Sequence, residues 1–230
     1  MLEELKERVY KSNIQLLELG LVVFTWGNAS AYDPESKLMV IKPSGIDYDI
    51  MQPEDMVVVN LEGQKIEGKY KPSSDTPTHI ELYKAFKNIE GIVHTHSEWA
   101  TSWAQAGRSI PPYGTTHADY FYKAIPCTRK LSKEEIESSY EKETGSVIIE
   151  CFQKDNIDPI ATPGVLVNGH APFAWGKSVE AAVYHAKVIE EVAKMAFRNE
   201  ALGNTTPIDD YLLEKHYNRK HGKNAYYGQQ

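Results

Sequence analysis

Two apolar segments of this chain run into histidine, which constrains how the chain can fold. One leads into His94-Thr95-His96, and the other, Pro163–Val167, is followed closely by His170. Side chains of a strand alternate between its faces, so His94 and His96 are expected side by side on one face. A fold in which both strands end together would bring His170 to the same place. Three converging imidazoles with an open coordination position are typical of a catalytic metal site.

The histidine spacing leaves the identity of the metal open. Imidazole suits zinc, and it also suits manganese, cobalt or iron. Asp75 is a candidate fourth ligand, or a partner that orients one of the ligands. The same residue could instead be a turn aspartate in front of a helix that opens at Thr76, and the sequence does not decide between these interpretations.

Length and charge narrow the class of protein. The chain has 230 residues, which predicts one domain over 1–230 with a substantial core. Its net charge of −7 argues against nucleic-acid binding, although local cations could still bind an anionic small molecule. No segment has the length of a membrane span, and the first residues lack the pattern of a signal peptide. We therefore expect a cytoplasmic protein without membrane partners. Cys127 and Cys151 do not make a disulfide framework.

Hydrophobic periodicity predicts a mixed succession of helices and strands. The predicted helices are Leu2–Leu19, Thr76–Phe86, a helix from Ser97 or Glu98 to Ala106, Ser132–Lys154, Ser178–Leu202 and Asp209–His221. The predicted strands are Leu21–Thr25, Leu38–Ile41, Met56–Val59, Gly91–His96 and Pro163–Val167. Their irregular alternation indicates an α/β fold, a single layered domain in which helices flank a central, mostly antiparallel sheet. The fingerprints of dinucleotide-binding and phosphate-loop proteins are absent from the sequence, which argues against a nicotinamide dehydrogenase or a nucleotide hydrolase.

Three short segments have the composition of an anion site. They are Trp26-Gly27-Asn28, Lys42-Pro43-Ser44-Gly45 and Lys71-Pro72-Ser73-Ser74. Glycine allows backbone amides to approach a ligand closely, and serine and lysine add hydrogen-bond donors. The third segment also precedes the predicted Thr76 helix, whose free amides favour an anion. Each segment alone resembles an ordinary turn, but together they predict a phosphate site beside the metal.

These motifs, taken together, resemble the metal-dependent class II aldolase/epimerase family, and the resemblance covers nearly the whole chain. The segments that carry it are Trp26–Ser30, Lys42–Gly45, Lys71–His79, His94–Ser97 and His170, with Thr115–Tyr120, Ile125–Arg129 and the tail from Lys215 to Gln229 narrowing it further.

The resemblance implies a role for each of these motifs. It implies Zn²⁺, with Mn²⁺ or Co²⁺ as alternatives, bound by His94, His96 and His170, with Asp75 nearby or ligating. It implies that Asp119 and Tyr227 form an acid/base pair. The implied phosphate-binding residues are Gly27, Asn28, Lys42, Ser44, Gly45, Ser73 and Ser74, and the supporting site residues are Thr115, Glu141 and His216. The family also implies a homotetramer with sites between subunits, in which the helix and tail 209–230 carry Tyr227 to a neighbouring site.

The implied reaction is the interconversion of L-ribulose 5-phosphate and D-xylulose 5-phosphate by breaking and re-forming the C3–C4 bond. Related sugar-phosphate aldolases carry glutamate where this chain has Asp75, which favours the epimerase. The alternatives are an aldolase that releases its aldehyde product, or an epimerase of a closely related pentulose phosphate. Some members of the family are non-catalytic interaction domains, and retention of all three histidines argues against that class.

Overall fold

The computed structural model describes residues 2–203 and 205–226. A seven-stranded sheet lies at the centre of this part of the chain. Its strands are β1 (Asn28–Asp33), β2 (Leu38–Ile41), β3 (Val57–Asn60), β4 (Lys65–Glu67), β5 (Gly91–His94), β6 (Gly164–Leu166) and β7 (Pro172–Gly176). Their order across the sheet is β4-β3-β2-β1-β5-β7-β6, and every neighbouring pair is antiparallel. The predicted layered α/β fold is therefore confirmed.

Helices cover both faces of this sheet. They are α1 (Glu3–Glu18), α2 (Thr76–Ala85), α3 (Glu98–Gln105), α4 (Thr115–Ala118), α5 (Lys133–Lys154), α6 (Val179–Leu202) and α7 (Asp210–His221), and a 3₁₀ turn spans Pro53–Asp55. Within residues 2–203 and 205–226, none of the helices combines the length and the apolar character needed to cross a bilayer.

The alternation of side chains along the strands creates two separate cores. Val40 and Val58 point to one face, where they pack with apolar residues of α1, α3 and α6. Their neighbours Ile41 and Val59 point to the other face, against α2 and α5. Both faces of the strands are buried, so these strands are apolar along their length instead of alternating between apolar and polar residues.

Local capping signals set the starts of the two longest helices. The Ser132 hydroxyl accepts a hydrogen bond from the Glu135 amide at 3.2 Å, and the Glu135 carboxylate accepts one from the Ser132 amide at 2.7 Å. This reciprocal capping box begins α5, as predicted. Ser178 accepts from the Ala181 amide at 3.2 Å and begins α6. Both starts follow from local chemistry, which is why the sequence locates them well.

Several predicted elements differ from the structure. The segment Leu21–Thr25 is a loop, and the first strand begins later, at Asn28. Leu21 and Val22 are buried against the helical core without any strand partner, which explains their apolar character. The sequence suggests Thr76 as the N-cap of α2, whereas Asp75 has that position and Thr76 is the first helical residue. Strands β4 and β7 were not expected from the sequence, because β4 is short and β7 contains proline and glycine.

Candidate metal centre and phosphate cavity

Three histidines from two segments of the chain meet at one end of the sheet. His94 is the last residue of β5, and His170 lies in the turn that joins β6 to β7. Strand β5 pairs with β7, with His94 opposite Phe173, and this pairing places His170 next to His94. One nitrogen of His94, one of His96 and one of His170 all lie within 4.8 Å of one another. The Nε2 atoms of His94 and His96 are 3.1 Å apart. The convergence predicted from the sequence is present.

The protonation state of these histidines suits metal binding, because they are neutral. His94 Nδ1 lies 3.0 Å from the Pro172 carbonyl oxygen, to which it can only donate, so the Nε2 lone pair points into the cluster. Burial lowers the pKa of His94 and of His170 to about 3, and it also lowers the pKa of His96. Neutral imidazole is the form that ligates metals. His170 Nδ1 is buried without a hydrogen-bond partner among the described residues, as a ligand atom would be. The donor set therefore fits a divalent cation.

Asp75 lies at the edge of this centre. Asn28, opposite His94 in the β1–β5 pairing, donates from Nδ2 to Asp75 Oδ2 at 2.6 Å. The negative charge of Asp75 opposes the lowering of the pKa of His96 and His170. In the described part of the chain, the group of mutually close ligand atoms contains the three histidines and does not include Asp75. Ligation by Asp75 stays a prediction.

A cavity of about 520 Å³ opens over the histidines. Its walls contain all seven residues predicted to bind phosphate, together with Asp75, the three histidines and Glu141. The seven are Gly27, Asn28, Lys42, Ser44, Gly45, Ser73 and Ser74. Segments distant in the sequence therefore form one site, in which donors suited to an anion face a centre suited to a cation.

The two Lys-Pro-Ser segments bind to each other. Pro43 and Pro72 form an antiparallel bridge. The Ser44 amide donates to the Lys71 carbonyl at 3.0 Å, and the Ser73 amide donates to the Lys42 carbonyl at 3.0 Å. The pairing aligns both serines on the cavity wall. It also occupies their amides, so each of these serines has its hydroxyl to offer to a ligand.

Lys42 contributes a buried cation to the same wall. Its ammonium donates to the Ile46 carbonyl at 3.0 Å and lies 4.7 Å from the ring centroid of Tyr48. Burial lowers the pKa of Lys42 to about 8. The ammonium is therefore charged at neutral pH but loses its proton more readily than an exposed lysine.

Tyr140 also lines the cavity, although it belongs to none of the sequence motifs. Its ring centroid is 6.1 Å from that of His170. The preceding residue, Ser139, has the non-helical angles φ −142° and ψ 69°, which break α5 just before Tyr140 and Glu141. The only local sequence signal for this break in the helix is the pair Ser138-Ser139, because serine hydroxyls compete with helical backbone hydrogen bonds. That signal is too common to identify a site residue.

Asp119, Thr115 and His216 lie in a different place. None of them lines the cavity above the histidines. Asp119 is buried where α4 meets α7, and it accepts hydrogen bonds from Arg219 at 2.7 and 3.1 Å and from His216 Nδ1 at 3.0 Å. The Asp119 amide donates to the Thr115 carbonyl at 2.9 Å. Tyr227, the other predicted acid/base residue, lies outside the described residues.

The surroundings of Asp119 keep its carboxylate ionised. Burial raises the pKa of Asp119, but hydrogen bonds from Arg219 and His216, with the nearby charges of Lys220 and Arg219, outweigh burial and lower it overall. An ionised carboxylate is ready to accept a proton at neutral pH. The structure thus divides the predicted site residues into a metal and phosphate cavity and a separate cluster around Asp119.

Comparison with known proteins agrees with this geometry. The chain is 54% identical over 229 residues to an L-ribulose-5-phosphate 4-epimerase UlaF of Salmonella paratyphi A (strain ATCC 9150 / SARB42), covering 99% of this chain and 100% of that protein. It is 55% identical, with the same coverage, to the protein of that name from Salmonella paratyphi C (strain RKS4594). A solved L-fuculose 1-phosphate aldolase shares the fold with a TM-score of 0.79 at 24% identity, covering 94% of this chain and 95% of that one. Residues 7–197 match the Class II Aldolase and Adducin N-terminal domain family. The chain belongs to this family.

Proposed function

We propose that this protein is an L-ribulose-5-phosphate 4-epimerase, which interconverts L-ribulose 5-phosphate and D-xylulose 5-phosphate. One observation carries the proposal: a single cavity holds three neutral histidines suited to a divalent cation and seven residues suited to a phosphate. A phosphorylated sugar can span both. The full-length identity of about half to proteins named for this activity supports the same assignment.

The chemistry of the substrate explains why such a site is needed. The carbonyl is at C2, so the hydrogen on C4 is not acidic and simple deprotonation cannot invert C4. Breaking and re-forming the C3–C4 bond can invert C4. The C4 hydroxyl gives up its proton, the bonding electrons pass to the three-carbon fragment as an enediolate, and glycolaldehyde phosphate forms. Rotation of this aldehyde and reformation of the bond then invert C4.

His94, His96 and His170 would hold the cation, which we propose to be Zn²⁺ because zinc favours imidazole ligands and an open fourth position. When bound, such a cation supplies Lewis acidity that stabilises negative charge on oxygen. The exposed position of His96 leaves the centre open to the cavity. We retain Asp75 as a proposed ligand or as a group that orients one.

The phosphate wall has a second task beyond binding. The phosphate stays on the two-carbon aldehyde after cleavage, so Lys42 and the serine hydroxyls must hold that fragment while it turns. We propose that Lys42, Ser44, Ser73 and the amide of Asn28 are its principal donors, with Gly27, Gly45 and Ser74 allowing close approach. A weaker hold would release the aldehyde and convert the enzyme into an aldolase.

Asp119 and Tyr227 are our proposed acid/base pair, one for each orientation of the C4 oxygen. Since Asp119 does not line the cavity of its own chain, we propose that both residues act at a neighbouring subunit, with Thr115 and His216 in support there and Glu141 in support from the cavity wall of its own chain. This arrangement requires an assembly, which we propose to be a cytoplasmic homotetramer. The chain would then be one domain over 1–230 whose segment 209–230 reaches the adjacent site.

The deciding experiment is product analysis with zinc-loaded protein and L-ribulose 5-phosphate. We expect D-xylulose 5-phosphate to appear with little free dihydroxyacetone. Stoichiometric release of dihydroxyacetone and glycolaldehyde phosphate would contradict the epimerase and indicate an aldolase. Comparing kcat/KM across other ketopentose 5-phosphates, with the same protein, tests whether a related pentulose phosphate is the better substrate.

A further inference from the structure

The hydroxyl of Tyr48 joins two parts of the phosphate wall. Tyr48 is buried, with 3% of its surface exposed. Its hydroxyl lies 2.9 Å from the Trp26 carbonyl oxygen and 3.1 Å from the Gly27 carbonyl oxygen, and it donates its proton to this pair. The loop that leads into Asn28 is thereby held in one conformation.

The same side chain supports the buried cation. The Tyr48 ring lies 4.7 Å from the Lys42 ammonium, within the range of a cation–π contact. The ammonium donates to the Ile46 carbonyl two residues before Tyr48. One tyrosine therefore contacts the loop before β1 through its hydroxyl and the end of β2 through its ring.

Gly27 connects this arrangement to the metal centre. Its φ is +71°, and a side-chain carbon there would lie 2.8 Å from the His94 carbonyl oxygen. The backbone of Gly27 thus packs directly against the end of β5. A donor that holds Gly27 in place also sets the spacing between the phosphate wall and the histidines.

We propose that Tyr48 is a positioning residue that sets the ratio of epimerisation to cleavage. This inference rests on the proposed function. After the C3–C4 bond breaks, the fragments either rejoin or separate. Separation leaves glycolaldehyde phosphate, and the three-carbon enediolate takes up one proton to become dihydroxyacetone, so atoms and electrons balance without a further reagent. By keeping the Gly27–Asn28 backbone and Lys42 at a constant spacing, Tyr48 retains the phosphorylated fragment long enough to rejoin.

The test removes the hydroxyl oxygen of Tyr48 by mutation. Tyr48→Phe keeps the ring against Lys42 and deletes the donor to Trp26 and Gly27. The matched control is Tyr83→Phe, because the Tyr83 hydroxyl is also buried and donates to a β1 carbonyl, that of Ser30, at 3.1 Å, yet it lies outside the cavity. For both zinc-loaded variants we would measure kcat, KM, dihydroxyacetone release per turnover and, by calorimetry, the affinity for inorganic phosphate.

We expect Tyr48→Phe to raise KM and the Kd for inorganic phosphate about tenfold, the loss typical of one hydrogen bond. We also expect kcat to change less than threefold and the released fraction of dihydroxyacetone to rise at least several-fold. Tyr83→Phe should lower thermal stability and leave all three quantities within twofold of the wild type. A merely structural role would reduce the active fraction, and hence kcat, without raising KM or the released fraction.

Unchanged phosphate affinity and an unchanged released fraction in Tyr48→Phe would overturn the inference, as would equal changes in both variants. If the wild type does not epimerise L-ribulose 5-phosphate, the proposed function fails. The role of Tyr48 is then tested by phosphate calorimetry alone, and an unchanged affinity for phosphate in Tyr48→Phe overturns that role. If circular dichroism shows that Tyr48→Phe is unfolded, Tyr48→Met, which also lacks the donor, is titrated under the same criteria.

Discussion

The Asn28 side-chain amide donates to the Asp75 carboxylate at 2.6 Å, and this bond connects the phosphate wall to the metal centre. Asn28 is 2% exposed, lies opposite His94 in the sheet and has a buried Oδ1 without a partner among the described residues. Asp75 occupies the N-cap position of α2 and lines the same cavity. Neither residue can be moved without affecting both halves of the site.

This contact predicts that the effects of mutating the two residues are not additive. Asn28→Ala and Asp75→Ala should each reduce kcat/KM, and the double variant should lose less than the sum, with a coupling free energy of about 1–2 kcal/mol. A double-mutant cycle on kcat/KM measures the coupling. Glu191→Gln paired with Asp75→Ala is the control, since Glu191 lies on α6 and outside the cavity, and additivity in the Asn28 cycle would contradict the prediction.

Substrate binding should weaken as the pH rises through about 8. Burial lowers the pKa of Lys42 to about 8, so the ammonium is charged below that pH and neutral above it. Between pH 7 and pH 9 we expect KM to increase about tenfold, because only the charged form attracts phosphate. Lys42→Arg should bind more weakly and show a flat profile, because arginine keeps its charge throughout this range. A wild-type KM that is constant from pH 7 to pH 9 would exclude this role.

Metal binding should depend on the three histidines and not on the histidine beside Asp119. His170→Asn should fall from about one zinc per chain to a small fraction of that and lose the increase in Tm that zinc gives the wild type. His216→Asn should keep its metal, because His216 lies outside the ligand group. Metal analysis of both purified variants checks this, and full zinc content in His170→Asn would rule out the proposed ligand set.

Asp119→Asn and Tyr227→Phe should each fold, bind zinc and lose most of their turnover. Loss of a proton carrier typically costs about 10²- to 10⁴-fold in rate. Steady-state kinetics at saturating L-ribulose 5-phosphate measure the loss, and zinc content shows that the metal centre is intact. Near-normal rates in both variants would refute the assignment of this pair.

Glu190 should stabilise the loop that carries His96. Its buried carboxylate accepts hydrogen bonds from the Trp99 and Ala100 amides at 3.0 and 2.9 Å, at the start of α3. Glu190→Gln replaces one acceptor with a donor, so we expect about 1–3 kcal/mol less stability in urea denaturation. The control is Glu191→Gln, which removes an exposed ion pair with Lys187 and should cost less than about 1 kcal/mol. Equal losses in both variants would contradict a capping role for Glu190.

Much of the fold is readable from local chemistry. The capping box at Ser132 and the N-cap at Ser178 locate the starts of the two longest helices, because these interactions join residues three positions apart. The prediction of a strand at Leu21–Thr25 was wrong. Leu21 and Val22 are buried by tertiary packing, whereas Val23 and Phe24 are exposed, and an apolar run in a loop looks the same in the sequence as one in a strand.

The sequence by itself determined the kinds of chemistry that this protein contains: imidazoles for a metal, and glycine, serine and lysine turns for an anion. Only the tertiary structure decided how these groups combine. Pairing of β5 with β7 brings His170 to His94, and pairing of Pro43 with Pro72 builds the phosphate wall beside them. The tertiary structure also placed Tyr140 on the cavity wall, Tyr48 in contact with the residues of that wall, and Asp119 away from the cavity. Such contacts join residues far apart in the chain, so no local pattern of residues can encode them.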